Sequence, residues 1–176
     1  MYKKISYEST NLSLKISNLP YILLHNCHVS NLMPVNKVNI IKICVGANGV
    51  HDLWAWQKEK KADDINSKII HVTRMRPQRE HELLDGGSIY WVFKGLVLAR
   101  QKIIALQELM GTDGILRCGL VLHPQLYLTY PVHRRPFQGW RYLKTSDAPK
   151  DLEKYNPRDD GLPKDLKMAM SELGLV

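Results

Sequence analysis

The run Ile89-Tyr90-Trp91-Val92-Phe93 follows closely on Asp85-Gly86-Gly87, and this change from turn to aromatic, β-branched chain constrains the fold most. The paired glycines supply the backbone freedom that a tight reversal needs. The residues after them favour a pleated, buried surface, so the middle of the chain is expected to form a sheet. On the amino-terminal side stand a short strand, Ser67–Thr73, and the break at Arg76-Pro77. Pro77 can open a short helix over Gln78–Leu84, because the first helical position needs no N–H. On the other side, Ile89 to about Leu109 reads as one long strand or as two strands kinked at Gly95, with a helix over Ala99–Leu109 as the alternative.

The flanks extend this pattern. Lys37–Val45 is rich in β-branched residues and stops at Gly46, which predicts a strand. After Asn48-Gly49, Val50, Leu53, Trp54 and Gln57 recur at helical spacing. Asp52 lies in the first turn of that helix and Lys58, Lys60 and Lys61 in the last, which suits its dipole; Trp54 should face the core and Trp56 away from it. Gly111–Gly114 reads as a turn, Ile115–Tyr130 as a strand interrupted at Pro124, Pro131–Gly139 as a loop and Trp140–Leu143 as a closing strand. Ser146 or Asp147 is expected to cap a helix reaching about Tyr155, and Pro163 to start a last helix with Leu166, Met170 and Leu173 on one face.

Strands in the middle with helices at the ends predict an α+β single domain, a curled and mainly antiparallel sheet with flanking helices. Residues 1–32, rich in Ser, Asn and Tyr, read as a loose N-terminal extension, with Met33 as the functional start and an ordered strand over Leu12–Ile16 as the rival. Residues 33–155 form the expected globular domain, and 156–176 a C-terminal loop and helix.

The formal charge of +8 is unevenly spread. Residues 71–144 hold 11 Lys+Arg against 5 acids, or +6, whereas residues 145–176 hold 5 against 7, or −2. A basic middle favours polyanions such as RNA, DNA or acidic lipid, with plain solubility as the competing explanation. No apolar run approaches ~18 residues, so no membrane span is expected. Cys27, Cys44 and Cys118 form no CxxC pair and read as reduced, mostly buried thiols of a cytoplasmic protein.

Catalytic signatures are scarce. His71, His81, His123 and His133 lack metal-ligand spacing with one another or with the cysteines, so neither a metal nor a cofactor is expected. Ser88 is not in a G-x-S-x-G elbow, and Gly86-Gly87 precedes no GK[ST]. Glu80, Glu82 and Asp85 beside Arg76 and Arg79 read as a surface ion-pair network rather than a general base.

The arginine–aromatic combination says more. Guanidinium groups fork onto phosphates and flat aromatic faces stack on unpaired bases. Arg74, Arg76, Arg79, Arg134, Arg135 and Arg141 are the candidate phosphate contacts, with Trp91 or Trp140 as the stacking face. Residues 134–144 are expected to fold back, burying Phe137 and Trp140 and setting Arg135 and Arg141 beside Arg74 or Arg76. The first function class is then an RNA- or nucleotide-binding module. The second is an enzyme on a small anionic or nucleotide substrate, with Arg74 and Arg135 as clamp and Glu82 or His71 as general base. The third is an assembly protein whose acidic tail after Thr145 docks on a basic face. The oligomeric state is not readable.

Several long motifs support a resemblance. KICVG with DLWAWQ (42–46, 52–57), HVTRMRPQREHELLDGGSIYWVFKG (71–95), Arg100-Gln101, RCGLVL (117–122) and RRPFQGWRYLK (134–144) are similar to the alphaproteobacterial domain-of-unknown-function family 1489 from about Val38 to Leu152. That likeness implies no activity. Thr73-Arg74 and the Asp85-Gly86-Gly87 turn, in the order strand, helix, strand, short helix, hairpin-rich sheet, also resemble the PUA-like group with its ASCH and EVE domains. This second likeness implies a pseudo-barrel that binds RNA or modified bases, although the group's Gly-Asp turn is here Asp-Gly-Gly.

Overall fold

The computed structural model describes residues 37–62 and 68–158, together with 168, 170–172 and 174. The chain falls into two units, Met1–Met33 and Pro34–Val176, and the expected N-terminal extension lies outside the described residues. Most of the helix expected from Pro163 lies outside them as well.

The described elements run β1 (Val38–Ile43), α1 (Val50–Ala62), β2 (Ile69–Thr73), α2 (Glu80–Leu84), β3 (Ser88–Phe93), β4 (Leu96–Met110), β5 (Leu116–His133), β6 (Trp140–Lys144), a 3-10 turn (Thr145–Asp147) and β7 (Asp151–Lys154). The strands form one mixed sheet of seven in the order β2-β5-β4-β3-β1-β6, with β7 added on β5. β1 and β3 run parallel, joined by the crossover through α1, β2 and α2, while the remaining pairs are antiparallel. The result is an α+β domain with an open sheet. Its outer strand β6 is tied by side chains, rather than by a ladder, to the connection between β2 and α2. The Trp140 indole N–H donates to the Met75 carbonyl at 3.1 Å, and the Arg79 backbone N–H donates to the Tyr142 hydroxyl at 3.0 Å.

α1 forms where expected, with Val50, Leu53 and Gln57 turned inward, Trp54 packed against the core and Trp56 exposed. Asp52 accepts from the Asn48 N–H at 2.8 Å, closing the first turn. α2 ends at Leu84, the chain turns through Asp85 and Gly86, whose φ is +77°, and it enters β3 through Gly87. Lys94-Gly95 then turns β3 into β4, with both residues at positive φ. Of the readings for 89–109, two strands is therefore the correct one, and the helix over Ala99–Leu109 does not form.

All six residues of β3 are buried. Tyr90 and Trp91 point to opposite faces, yet both are interior, because a central strand covered on both sides has no wet face. One face packs into the main core with Ile40, Leu53, Leu83, Ile89, Trp91 and Phe93. The other packs with Ile41, Tyr90, Val92, Val97 and Leu143, joined by Phe137 and Ala148.

Two further readings are corrected. β5 passes through both Pro124 and Pro131 and ends only at His133, so residues 131–133 are strand rather than loop. Both prolines fall in register breaks against β4, between the pairs Leu122–Ile103 and Leu126–Gln101, and between Leu128–Ala99 and Val132–Val97. A bulge leaves an N–H unpaired, so a proline there costs no ladder bond. The helix expected from Ser146 to Tyr155 is instead a 3-10 turn followed by β7. β7 is held by its ladder to β5 and by Arg100, which binds Asp151 through Nε at 2.6 Å, Ser88 Oγ at 3.1 Å, and lies 4.6 Å over the Tyr127 ring. That pairing is non-local and overrides the short helical pattern.

Candidate functional site

β6 sorts the candidate arginines. Its side chains alternate, so Trp140 and Tyr142 share one face and Arg141 and Leu143 the other. On the first face Trp140 and Tyr142 stack edge-on at 5.0 Å and grip Met75 and Arg79. On the second, Arg141 lies over the Phe137 ring at 5.0 Å. The strand thus stands between the two arginine clusters: Arg141 faces away from the residues that hold 75 and 79.

The cluster around α2 is internally neutralised. Arg76 binds Glu80 at 2.7 Å and lies near Glu108, and Arg79 forms a two-pronged pair with Glu82. The hydrogen bond from Arg79 holds the Glu82 carboxyl below its ordinary pKa, the opposite of what a general base at neutral pH requires. The expected ion-pair network is present. Arg74 is exposed and has no ion-pair partner among the described residues.

The other cluster is not neutralised. Arg134, Arg135 and Arg141 line an open trough of about 420 Å³ together with His133, Phe137 and Asp147. None of these three guanidinium groups has a carboxylate partner among the described residues. Arg134 is fixed at both ends: its backbone N–H donates to Gly95 O at 2.8 Å and its Nη2 to Asp147 O at 3.1 Å. Its Nε is buried without a partner. Phe137 and Trp140, expected to be buried, are each half-buried; Phe137 anchors the trough and Trp140 serves the opposite face. Trp91, the other proposed stacking residue, is 1% exposed and offers no face to a base.

The histidine proposed as a base lies elsewhere, on the core side of β2. Burial, followed by the charges of Lys42 and Lys60, pushes the His71 imidazole down from 6.5 to about 4. Folding therefore favours the neutral ring. The unfolded chain binds the proton at higher pH, so stability is complete above 6.5 and falls as pH drops toward 4. Urea midpoints across that interval should decline on acidification, and His71→Gln should flatten the decline; an equal decline in the variant would assign it to other groups.

Cysteine signals none of this chemistry. Burial pushes the Cys44 thiol up to about 11, and Cys118 is buried in β5, so neither is an activated nucleophile. Among the described residues, no group of three His, Cys, Asp or Glu is placed to hold a metal, and no helix is long and apolar enough to cross a membrane. A family model described as "Protein of unknown function (DUF1489)" matches residues 40–176. No curated protein and no solved structure matches the chain.

Proposed function

The chain belongs to the DUF1489 family, and on that premise we propose that the domain is a binding module for RNA or a nucleotide, with the trough on the β6 side as its phosphate site. The observation that carries this reading is the convergence of Arg134, Arg135 and Arg141, without carboxylate partners among the described residues, on one trough. Guanidinium groups without carboxylate partners in a shared concavity suit the forked geometry of phosphate oxygens. Arg141, with its guanidinium 5.0 Å over the Phe137 ring, presents a planar cation on which a splayed base can stack. Stacking by the indoles of Trp91 and Trp140 plays no part in this version.

The PUA-like resemblance, through Thr73-Arg74 and the glycine turn, agrees with an RNA ligand, and the free thiols of Cys44 and Cys118 agree with a cytoplasmic setting. An assembly role has less support: of the described residues after Thr145, Asp147 alone lines the trough.

Fluorescence anisotropy with a labelled single-stranded RNA at two salt concentrations tests the reading. Affinity should fall steeply with salt, since each neutralised phosphate releases counterions. Replacing Arg134, Arg135 and Arg141 together by alanine should flatten the log–log slope by about 2, at roughly 0.7 per phosphate contact on a single strand. Arg76→Ala, which removes an arginine already paired with Glu80, should leave the slope nearly unchanged. Absence of binding at low salt, or an unaltered slope in the triple variant, would sink the proposal.

A further inference from the structure

The core side of the sheet holds a second cleft that the phosphate trough does not use. α1 packs beside β2, and between them Trp56, Lys60, Lys68, Ile69, Ile70 and His71 surround about 260 Å³. Sequence periodicity explains how these residues meet. Gln57 is the inward position of the third turn of α1, so Trp56 and Lys60 flank it on the helix side that faces β2. His71 lies in the middle of β2, opposite Leu120 of β5.

Two polar atoms here lack partners among the described residues. His71 Nε2 is buried without a hydrogen bond, and so is the indole Nε1 of Trp91, which is 1% exposed. The two rings stand edge-on with centroids 5.0 Å apart. Native interiors leave few such groups unpaired, and each one that remains calls for a ligand, an ion or a water to account for it. The neighbouring amides do not supply the missing partners, because Gln57 and Gln101 are engaged with each other.

The charges around the cleft define what it would accept. Lys60 and Lys68 line it, Lys42 of β1 lies opposite Trp91 in register, and no carboxylate among the described residues lines it. Trp56 and Ile69, which shares the His71 face of β2, give it flat and apolar walls, and Lys60 Nζ already sits 4.1 Å over the Trp56 ring. A neutral imidazole among ammonium groups is short of negative charge, and an incoming anion supplies it.

We propose that this cleft binds a small organic anion, with its carboxylate or phosphate head against Lys60, Lys68 and His71 and a flat apolar body along Trp56 and Ile69. An anion here reverses the field that the lysines impose on the ring, so binding strengthens hydrogen bonding from His71 to the head group. The site is separate from the arginine trough and does not depend on the RNA reading.

Long-range imidazole nitrogen spectra of the full chain provide the test, with phenyl phosphate and benzoate as probes. Inorganic phosphate serves as the head alone, and benzamide as the uncharged counterpart of benzoate. Saturable shifts of the His71 signals are expected with one or both aryl anions, and binding at least tenfold weaker with inorganic phosphate and with benzamide. Response to phenyl phosphate alone would assign the head as phosphoryl, and response to benzoate alone as carboxylate. The Lys60→Gln/Lys68→Gln double variant changes two surface side chains and should weaken binding tenfold or more, whereas Arg135→Ala/Arg141→Ala should leave it intact. Benzamide binding as tightly as benzoate, loss of binding in the arginine variant but not in the lysine variant, or no saturable His71 shift with either anion would each overturn the proposal.

Discussion

Gly87→Ala is expected to lower the free energy of unfolding by roughly 3 kcal/mol, at the upper end for an overpacked site. A methyl group at this position would collide with the carbonyl oxygens of both Leu83 and Val38. Both obstacles are backbone, so neither can rotate aside. The residue is also hydrogen-bonded on each side: its N–H donates to Leu83 O at 2.9 Å, and its carbonyl accepts from the Ile103 N–H at 3.0 Å. The adjoining Ser88 N–H donates to the buried Asn39 side chain at 3.0 Å. Moving the backbone to admit the methyl would disturb the end of α2 and the entries of β1 and β3 together. For a chain of this size the melting temperature should fall by about 6–12 °C, taking roughly 2–4 °C per kcal/mol. Gly86→Ala is the control. Its φ is +77° but a Cβ there would meet nothing within 4 Å, so strain alone should cost about 1 kcal/mol. Thermal melts of the two variants decide the matter: equal losses would mean that the backbone relieves the close approach to α2 and β1 by small shifts, and that this approach is not why glycine stands at 87.

The same corner shows why part of the fold was legible in the sequence. Gly46, Pro77 and Gly86-Gly87 punctuate the chain locally, and β1, α1, β2, α2 and β3 fall between them nearly where the pattern places them. The elements that were misread are the ones decided by distant partners. Residues 99–109 include good helix formers, yet β4 is fixed by its ladder to β5. Asp151–Lys154 is a strand because Tyr127 and Thr129 offer it an edge. Pro124 and Pro131 looked like ends of strands because the bulges that hold them depend on β4. The site divides in the same way. The basicity of residues 134–141 is plain in the sequence, and the ion pairs of Arg76 and Arg79 follow from helical spacing to Glu80 and Glu82. That Arg141 faces away from Arg79, and that Trp91 is interior, follows from which strands neighbour β6 and β3. The cleft beside His71 was not legible at all, because it exists only where α1 comes to lie along β2.

A second large effect is expected where α1 is tied to the sheet. Gln57 and Gln101 exchange hydrogen bonds, each Nε2 donating to the other's Oε1 at 3.0 Å, and Gln101 Nε2 also donates to the His123 carbonyl at 2.8 Å. Gln101 is 0% and Gln57 6% exposed, so water cannot replace a lost partner. Gln101→Leu removes one side chain, leaves the buried Gln57 amide unpaired and takes the Gln101 bond from the carbonyl of His123, a residue at the surface. At about 1–3 kcal/mol for each stranded group, the loss should reach roughly 3 kcal/mol. Gln57→Leu should cost less, about 2 kcal/mol, because Gln101 keeps its bond to His123. The double variant is the informative one. With leucine at both positions the two side chains pack apolar surface against each other, and only the His123 carbonyl is left without its partner. Its destabilisation should fall short of the sum of the singles by about 1–2 kcal/mol, a coupling of the size seen for directly bonded neighbours. Chemical denaturation of the wild type, both singles and the double closes the cycle. Strict additivity would show that the two amides do not depend on each other, and that α1 is held to the sheet by the packing of Val50, Leu53 and Trp54.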